Sequence, residues 1–146
     1  MQENPFKVVC DTSIYIPLIN QGIIHPVFTA SANPVLYMSI VVLAELYAGS
    51  HDGRSTRLVD RLYNTFTSVG RLSIPNDEDW KRTGIIMAKL GQKYGFEGKY
   101  ISKIQNDVLI ACSARKIGAF VVTKNEKDFE RIKEFMNFRI YKRLIG

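Results

Sequence analysis

The apolar positions of this 146-residue chain alternate between short runs and helical spacings. Residues 6–10 form a run rich in β-branched side chains, the pattern of a strand covered on both faces, and the run stops at Asp11. Residues 12–20 read as a helical stretch, broken near Pro17 or restarting after it. Residues 36–39 predict a second strand, whose closing Ser39 caps a helix over residues 40–48 that Gly49 ends. The segment 51–69 begins polar and then sets Leu58, Leu62 and Phe66 on one face, the spacing of a helix. A short strand follows at residues 71–74.

Pro75-Asn76-Asp77 is a helix start signal, and Trp80, Ile85, Ala88 and Leu90 carry an amphipathic helix to Tyr94. Gly91, Gly95 and Gly98 then predict a closing loop. Residues 106–116 read as a helix with an apolar face from Val108 to Cys112 and a basic end, stopped by Gly118. A buried strand at 119–123, a short helix at 127–135 and a weaker strand at 139–141 complete the chain. Strands alternating with helices predict one α/β domain over residues 1–146, a mostly parallel sheet of about five strands between two helical layers.

Composition adds a charge asymmetry. The formal net charge is +6, yet residues 1–53 carry one basic residue, Lys7, against Glu3, Asp11, Glu45 and Asp52, while the rest of the chain is strongly basic. A basic surplus points to a polyanionic partner such as nucleic acid. Cys10 and Cys112 lie in aliphatic surroundings with no CxxC pattern, the usage of buried thiols in a reducing compartment. The segment Met-Gln-Glu-Asn-Pro lacks the features of a signal peptide, and no apolar run approaches the ~20 residues of a membrane span. The expectation is a cytoplasmic protein without a membrane partner.

In a parallel α/β sheet, chemistry gathers at the carboxyl ends of the strands. Asp11 ends the first strand, Glu45 lies in the element after the second, Asp107 opens the 106–116 helix, and Thr123, Asn125 and Asp128 follow the fourth strand. Singly, Asp11 and Asp107 read as helix caps, and Glu45 and Asp128 as solvated acids. Converging on one crevice, they would repel unless a cation neutralised them. Oxygen ligands without His or Cys select Mg²⁺ or Mn²⁺. Such ions support in-line phosphodiester hydrolysis, with the basic remainder holding the nucleic-acid backbone.

Competing constellations fail by residue. Aspartyl phosphotransfer would need an acid two residues after Asp11, where Ser13 stands, and Gly98-Lys99 lacks the rest of a P-loop. Neither His25 nor His51 lies near a plausible Ser or Cys nucleophile in sequence, and each reads as a solvated loop histidine. Phe129 reads as packing, whereas Tyr15 and Tyr47, beside the acids, are placed to stack on bases.

Four segments together resemble the PIN-domain family, nearest its VapC-like toxin ribonucleases. They are Val-Val-Cys-Asp11-Thr12-Ser13, Leu-Ala-Glu45-Leu-Tyr-Ala-Gly49, Asn106-Asp107-Val-Leu-Ile-Ala-Cys, and Val-Val-Thr123-Lys-Asn125-Glu-Lys-Asp128-Phe129. The resemblance implies an α/β/α sandwich that cleaves single-stranded RNA with Mg²⁺ or Mn²⁺. It implies metal-binding and catalytic roles for Asp11, Glu45, Asp107 and Asp128, and supporting roles for Thr12 or Ser13, Thr123 and Asn125. Either Asn125 or Asp128 completes the acid set, with Asp128 favoured. The resemblance further implies a small antitoxin partner and a homodimer formed through the helices within residues 51–94. The alternative is a PIN-fold module that binds RNA or assembles without catalysis.

Overall fold

Val8, Val9 and Cys10 are consecutive and all fully buried, so the strand that carries them is covered on both faces. The structure is a computed structural model and describes residues 6–29, 33–95 and 98–142. Strands β1 (Lys7–Cys10), β2 (Val35–Ser39), β3 (Leu72–Ser73), β4 (Phe120–Val122) and β5 (Arg139–Ile140) form one sheet in the order β3-β2-β1-β4-β5. Every pairing is parallel, with Val9 opposite Tyr37 on one side and Val121 on the other. Helices α1 (Thr12–Gln21), α2 (Ile40–Ala48), α3 (Gly53–Ser68), α4 (Asp77–Tyr94), α5 (Gly98–Ile117) and α6 (Glu126–Lys133) lie between the strands, singly or in pairs, and residues Pro26–Thr29 form a 3-10 turn. No helix among the described residues is long and apolar enough to cross a membrane.

Strand order runs outward from β1 to β3 on one side, then from β4 to β5 on the other. The strand order thus reverses between β1 and β4, and the carboxyl ends of these two strands are the switch point at which such sheets bind their ligands. Asp11 follows β1 directly, and Thr123 follows β4. The fold itself delivers these two residues to the switch point.

Four expectations need correction. Helix α1 runs unbroken through Pro17, which forfeits only the bond to the Ser13 carbonyl. The Asp11 cap, a left-handed Gly22 at φ 68° and the buried Ile14, Tyr15 and Ile19 hold the helix together across that gap. On α4 the buried stripe is Thr83, Ile86, Leu90 and Gly91, while Trp80 and Ile85 face outward.

Helix α5 begins at Gly98 rather than Asn106, so Gly98 starts an element instead of closing a loop, and Gly91 lies buried within α4 rather than in that loop. Ile104, near the end of the added segment, is buried, and Tyr100 packs against the core. Tyr15 is only 1% exposed, packed against the Phe28 ring, and is unavailable to stack on a base. The remaining boundaries fall within a few residues of those expected. The readings of residues 1–5 and of the loop at residues 96–97 lie outside the described residues.

Candidate active site

Asp11 is the N-cap of α1, in extended backbone at the end of β1. Its Oδ1 accepts from the Ser13 N–H at 3.0 Å and from the Ser13 hydroxyl, and its Oδ2 accepts from the Thr123 hydroxyl at 2.5 Å. Both hydroxyls are themselves aimed by backbone donors: Lys124 N–H donates to Ser13 Oγ and Asn125 N–H to Thr123 Oγ1, each at 2.9 Å. The loop after β4 thereby fixes the carboxylate at the end of β1. Burial pushes the Asp11 pKa up, and the hydroxyl and amide donors pull against that rise without reversing it. Of the two hydroxyl positions expected here, Ser13 makes the bond to Asp11, and Thr12 is half-buried at the first position of α1.

Asp107 occupies a different environment. The early start of α5 puts it in mid-helix, with its backbone N–H inside the helical ladder, so it cannot be an N-cap. The residue is 8% exposed and its Oδ2 is buried without a hydrogen-bond partner among the described residues. Burial first, then the charges of Asp11, Asp128 and Glu45, push its pKa up to about 8, while Lys103 opposes them. A buried carboxylate oxygen that nothing satisfies is costly, and such groups in folded proteins call for an explanation.

Glu45 projects from α2, six residues beyond the Ser39 cap, and is half-buried. Burial raises its pKa, the Asn106 side chain lowers it, Asp11 raises it and Lys103 lowers it. Asp128, in the first turn of α6, accepts from Lys103 Nζ at 3.3 Å. Asp107 thus lies within electrostatic reach of Asp11, Glu45 and Asp128, and Glu45 within reach of Asp11, as four elements bring the acids to one end of the sheet. Asn125 is exposed, and its side chain does not cap α6.

Two further polar residues, Lys103 and Asn106, act on these acids. Both stand on α5 beside Asp107: Lys103 precedes it by four residues and shares its helix face, whereas the adjacent Asn106 points elsewhere and reaches Glu45. Partial burial lowers the Lys103 pKa, but Asp128, with Asp107 behind it, more than offsets this and the net direction is up.

Among the described residues, no three carboxylate, imidazole or thiol groups stand arranged to hold a metal ion between them. The donor chemistry nonetheless suits a hard cation. Mg²⁺ takes one or two protein carboxylates and keeps several waters, so it does not require a closed protein cage. The unpartnered Asp107 Oδ2 is the oxygen most in need of such an ion.

A PIN domain profile matches residues 8–135, which spans every strand but β5 and all four acids. Ribonuclease VapC1 of Haemophilus influenzae (strain R2866) is 28% identical over 133 residues, covering 85% of this chain and 90% of that protein. The structure of VapBC-1 from nontypeable Haemophilus influenzae aligns with a TM-score of 0.64 at 26% identity, covering 93% of this chain and 97% of that one. VapBC2 from Rickettsia felis, bound to a DNA fragment from its promoter, aligns with a TM-score of 0.65 at 25% identity, covering 93% and 98%. With the parallel sheet, its order and the acids gathered around Asp107 in place, the chain belongs to the PIN domain family.

Proposed function

We propose that the protein is a metal-dependent endoribonuclease acting on single-stranded RNA, the toxin of a toxin–antitoxin pair. The observation that carries this reading is Asp107, a mid-helix carboxylate, buried and unpartnered at Oδ2, with three further acids in electrostatic reach. The likeness to Ribonuclease VapC1 supports it. Asp107, Asp11 and Glu45 would bind Mg²⁺ or Mn²⁺, one or two of them directly and the rest through its waters, with Asp128 as the outer carboxylate. A bound ion of this kind polarises a water for attack on phosphorus and stabilises charge on the phosphate. Ser13 and Thr123 keep the Asp11 carboxylate oriented, and Asn125 contributes its backbone N–H to that support. Lys103 offsets part of the acid charge and offers a cation to an approaching phosphate.

The basic surplus beyond residue 53 supplies the surface for the RNA backbone. The likeness to VapBC structures supports a small antitoxin as protein partner. Exposed Tyr63, Val69, Ile74, Trp80 and Ile85, all within residues 51–94, provide apolar surface for a homodimer.

The test is cleavage of a labelled single-stranded RNA with Mg²⁺ or Mn²⁺. Activity should depend on the ion and disappear in both Asp11→Asn and Asp107→Asn. Cleavage that survives either substitution would remove the acids from the chemistry. RNA binding with no cleavage in any variant or metal would identify a non-catalytic module instead.

A further inference from the structure

The pole of the molecule opposite the acids holds a cleft of about 650 Å³, within the range of sites that take small molecules. It opens at the amino ends of β4 and β5, between the first turns of α4 and the last turn of α5. Four cations line it, Arg82, Arg115, Lys116 and Arg139, against two acids, Glu78 and Asp79. The acids are not free to neutralise them all. Asp79 closes the α4 capping box with Asn76 and also pairs with Lys116 at 3.4 Å.

Arg139 is held in place: its guanidinium donates to the Gly118 carbonyl at 2.9 Å and lies 4.1 Å from the Phe120 ring centroid. Arg82 and Arg115 are the remainder. They come from different helices, both reach the region of Cys112, and neither has an ion-pair or hydrogen-bond partner among the described residues. Two unpaired guanidiniums facing one cleft, beside a third that is already positioned, offer the planar donor forks that bind phosphate oxygens bidentately. The floor, Cys112, Ala114 and Phe138, is buried and largely apolar, which suits a group attached to the phosphate rather than bare water.

We infer that the cleft between α4 and α5 is a second ligand site, for a phosphate-bearing small molecule of nucleotide size, held by Arg82, Arg115 and Arg139. The site stands apart from the nuclease reading, because none of the four acids lines it.

The test measures melting temperature and calorimetric binding with adenosine monophosphate and with inorganic phosphate, at ionic strength matched with sodium chloride. A single-stranded RNA oligonucleotide lacking terminal phosphates is the third probe, used with Asp107→Asn protein. Adenosine monophosphate at ten times its Kd should raise the melting temperature by roughly 3–6 °C. In the exposed double variant Arg82→Ala/Arg115→Ala its affinity should fall at least about tenfold, with Arg82→Lys/Arg115→Lys retaining part of it. Asp107→Asn should bind it as the parent does, whatever the fate of RNA cleavage. Binding of the monophosphate or of inorganic phosphate, lost with the arginines, supports the site as a free-phosphate pocket. If only the oligonucleotide responds to the double variant, with a shallower salt dependence, the phosphate belongs to a polynucleotide chain and the small-molecule site is overturned. Equal binding by parent and double variant, or none by either, also overturns it.

Discussion

Thr123 and Asp11 are 112 residues apart in sequence and joined by one hydrogen bond, from the Thr123 hydroxyl to Asp11 Oδ2 at 2.5 Å. That bond ties the residue after β4 to the residue after β1, and both residues are buried. Thr123→Val keeps the shape and removes the donor, leaving a buried carboxylate oxygen short of a partner. The expected loss is about 1–3 kcal/mol in denaturant unfolding, together with a fall in RNA cleavage, and Thr123→Ser should restore most of both. Asn125→Ala, whose side chain is exposed and caps nothing, should stay within roughly 0.5 kcal/mol of the parent.

The Asp107 carboxyl is pushed up to about 8, above its value of about 3.9 in an unfolded chain. Between those values the folded protein keeps a proton that the unfolded chain has released. This contribution to stability is complete below pH ~4, declines as pH rises and is gone above pH ~8. In chelator, the parent should therefore lose stability from pH 5 to pH 8. Asp107→Asn cannot titrate there, so its profile should be flatter, and at pH 8 it should be as stable as the parent or more so. Urea titrations at a series of pH values decide it, and a clear loss of stability at pH 8 in Asp107→Asn would show that the carboxylate is structural.

The same raised carboxyls give divalent binding a pH dependence. An ion must displace protons from Asp107 and Asp11, so affinity for Mn²⁺ or Mg²⁺ should rise with pH and level off near pH 8. At ten times Kd the gain is about 1.4 kcal/mol, a melting shift of roughly 3–6 °C, and it should be absent in Asp107→Asn. Calorimetry in buffers of different ionisation enthalpy would count the protons released.

Lys103 pairs with Asp128 at 3.3 Å, but its side chain is half exposed, so the pair adds at most about 1 kcal/mol to stability. Its field on the acids is the larger effect. Lys103→Met should leave unfolding nearly unchanged while lowering the divalent concentration needed for half-maximal cleavage. RNA affinity should fall at the same time, with a reduced salt slope.

The Tyr15 hydroxyl is buried and has no hydrogen-bond partner among the described residues. Tyr15→Phe should therefore be neutral or stabilising by up to roughly 1 kcal/mol, readable from the urea midpoint at an unchanged slope.

Much of this architecture could be read along the chain because its signals are local. The β-branched run before Asp11, the Ser39 cap and the Asn76 start signal each act within a few residues, and the elements appear close to where those signals put them. What escaped was tertiary in origin. Trp80 and Ile85 are as apolar as the residues that line the core, but α4 turns Ile86 and Leu90 inward instead. Pro17 reads as a break until the cap, the left-handed glycine and the buried face outweigh one missing bond. Asp107 reads as a cap because Asn106-Asp107 is a common cap pair and residues 98–105 carry glycine and lysine. Packing of Ile104 and Tyr100 against the core is what extends the helix past it. Lys103 joins the site only through that extension.

The added length of α5 has a further meaning. A helix starting at Asn106 would have let the Asp107 side chain turn back onto free backbone amides and satisfy itself. By laying two more turns ahead of it, the chain closes that escape and leaves Asp107 dependent on something from outside its own backbone. Helix length here acts as a selector between two fates for one side chain, internal punctuation or an open valence. Variants that shorten α5 from its amino end would trade the second for the first, and a protein could be silenced in this way with all four of its acids intact.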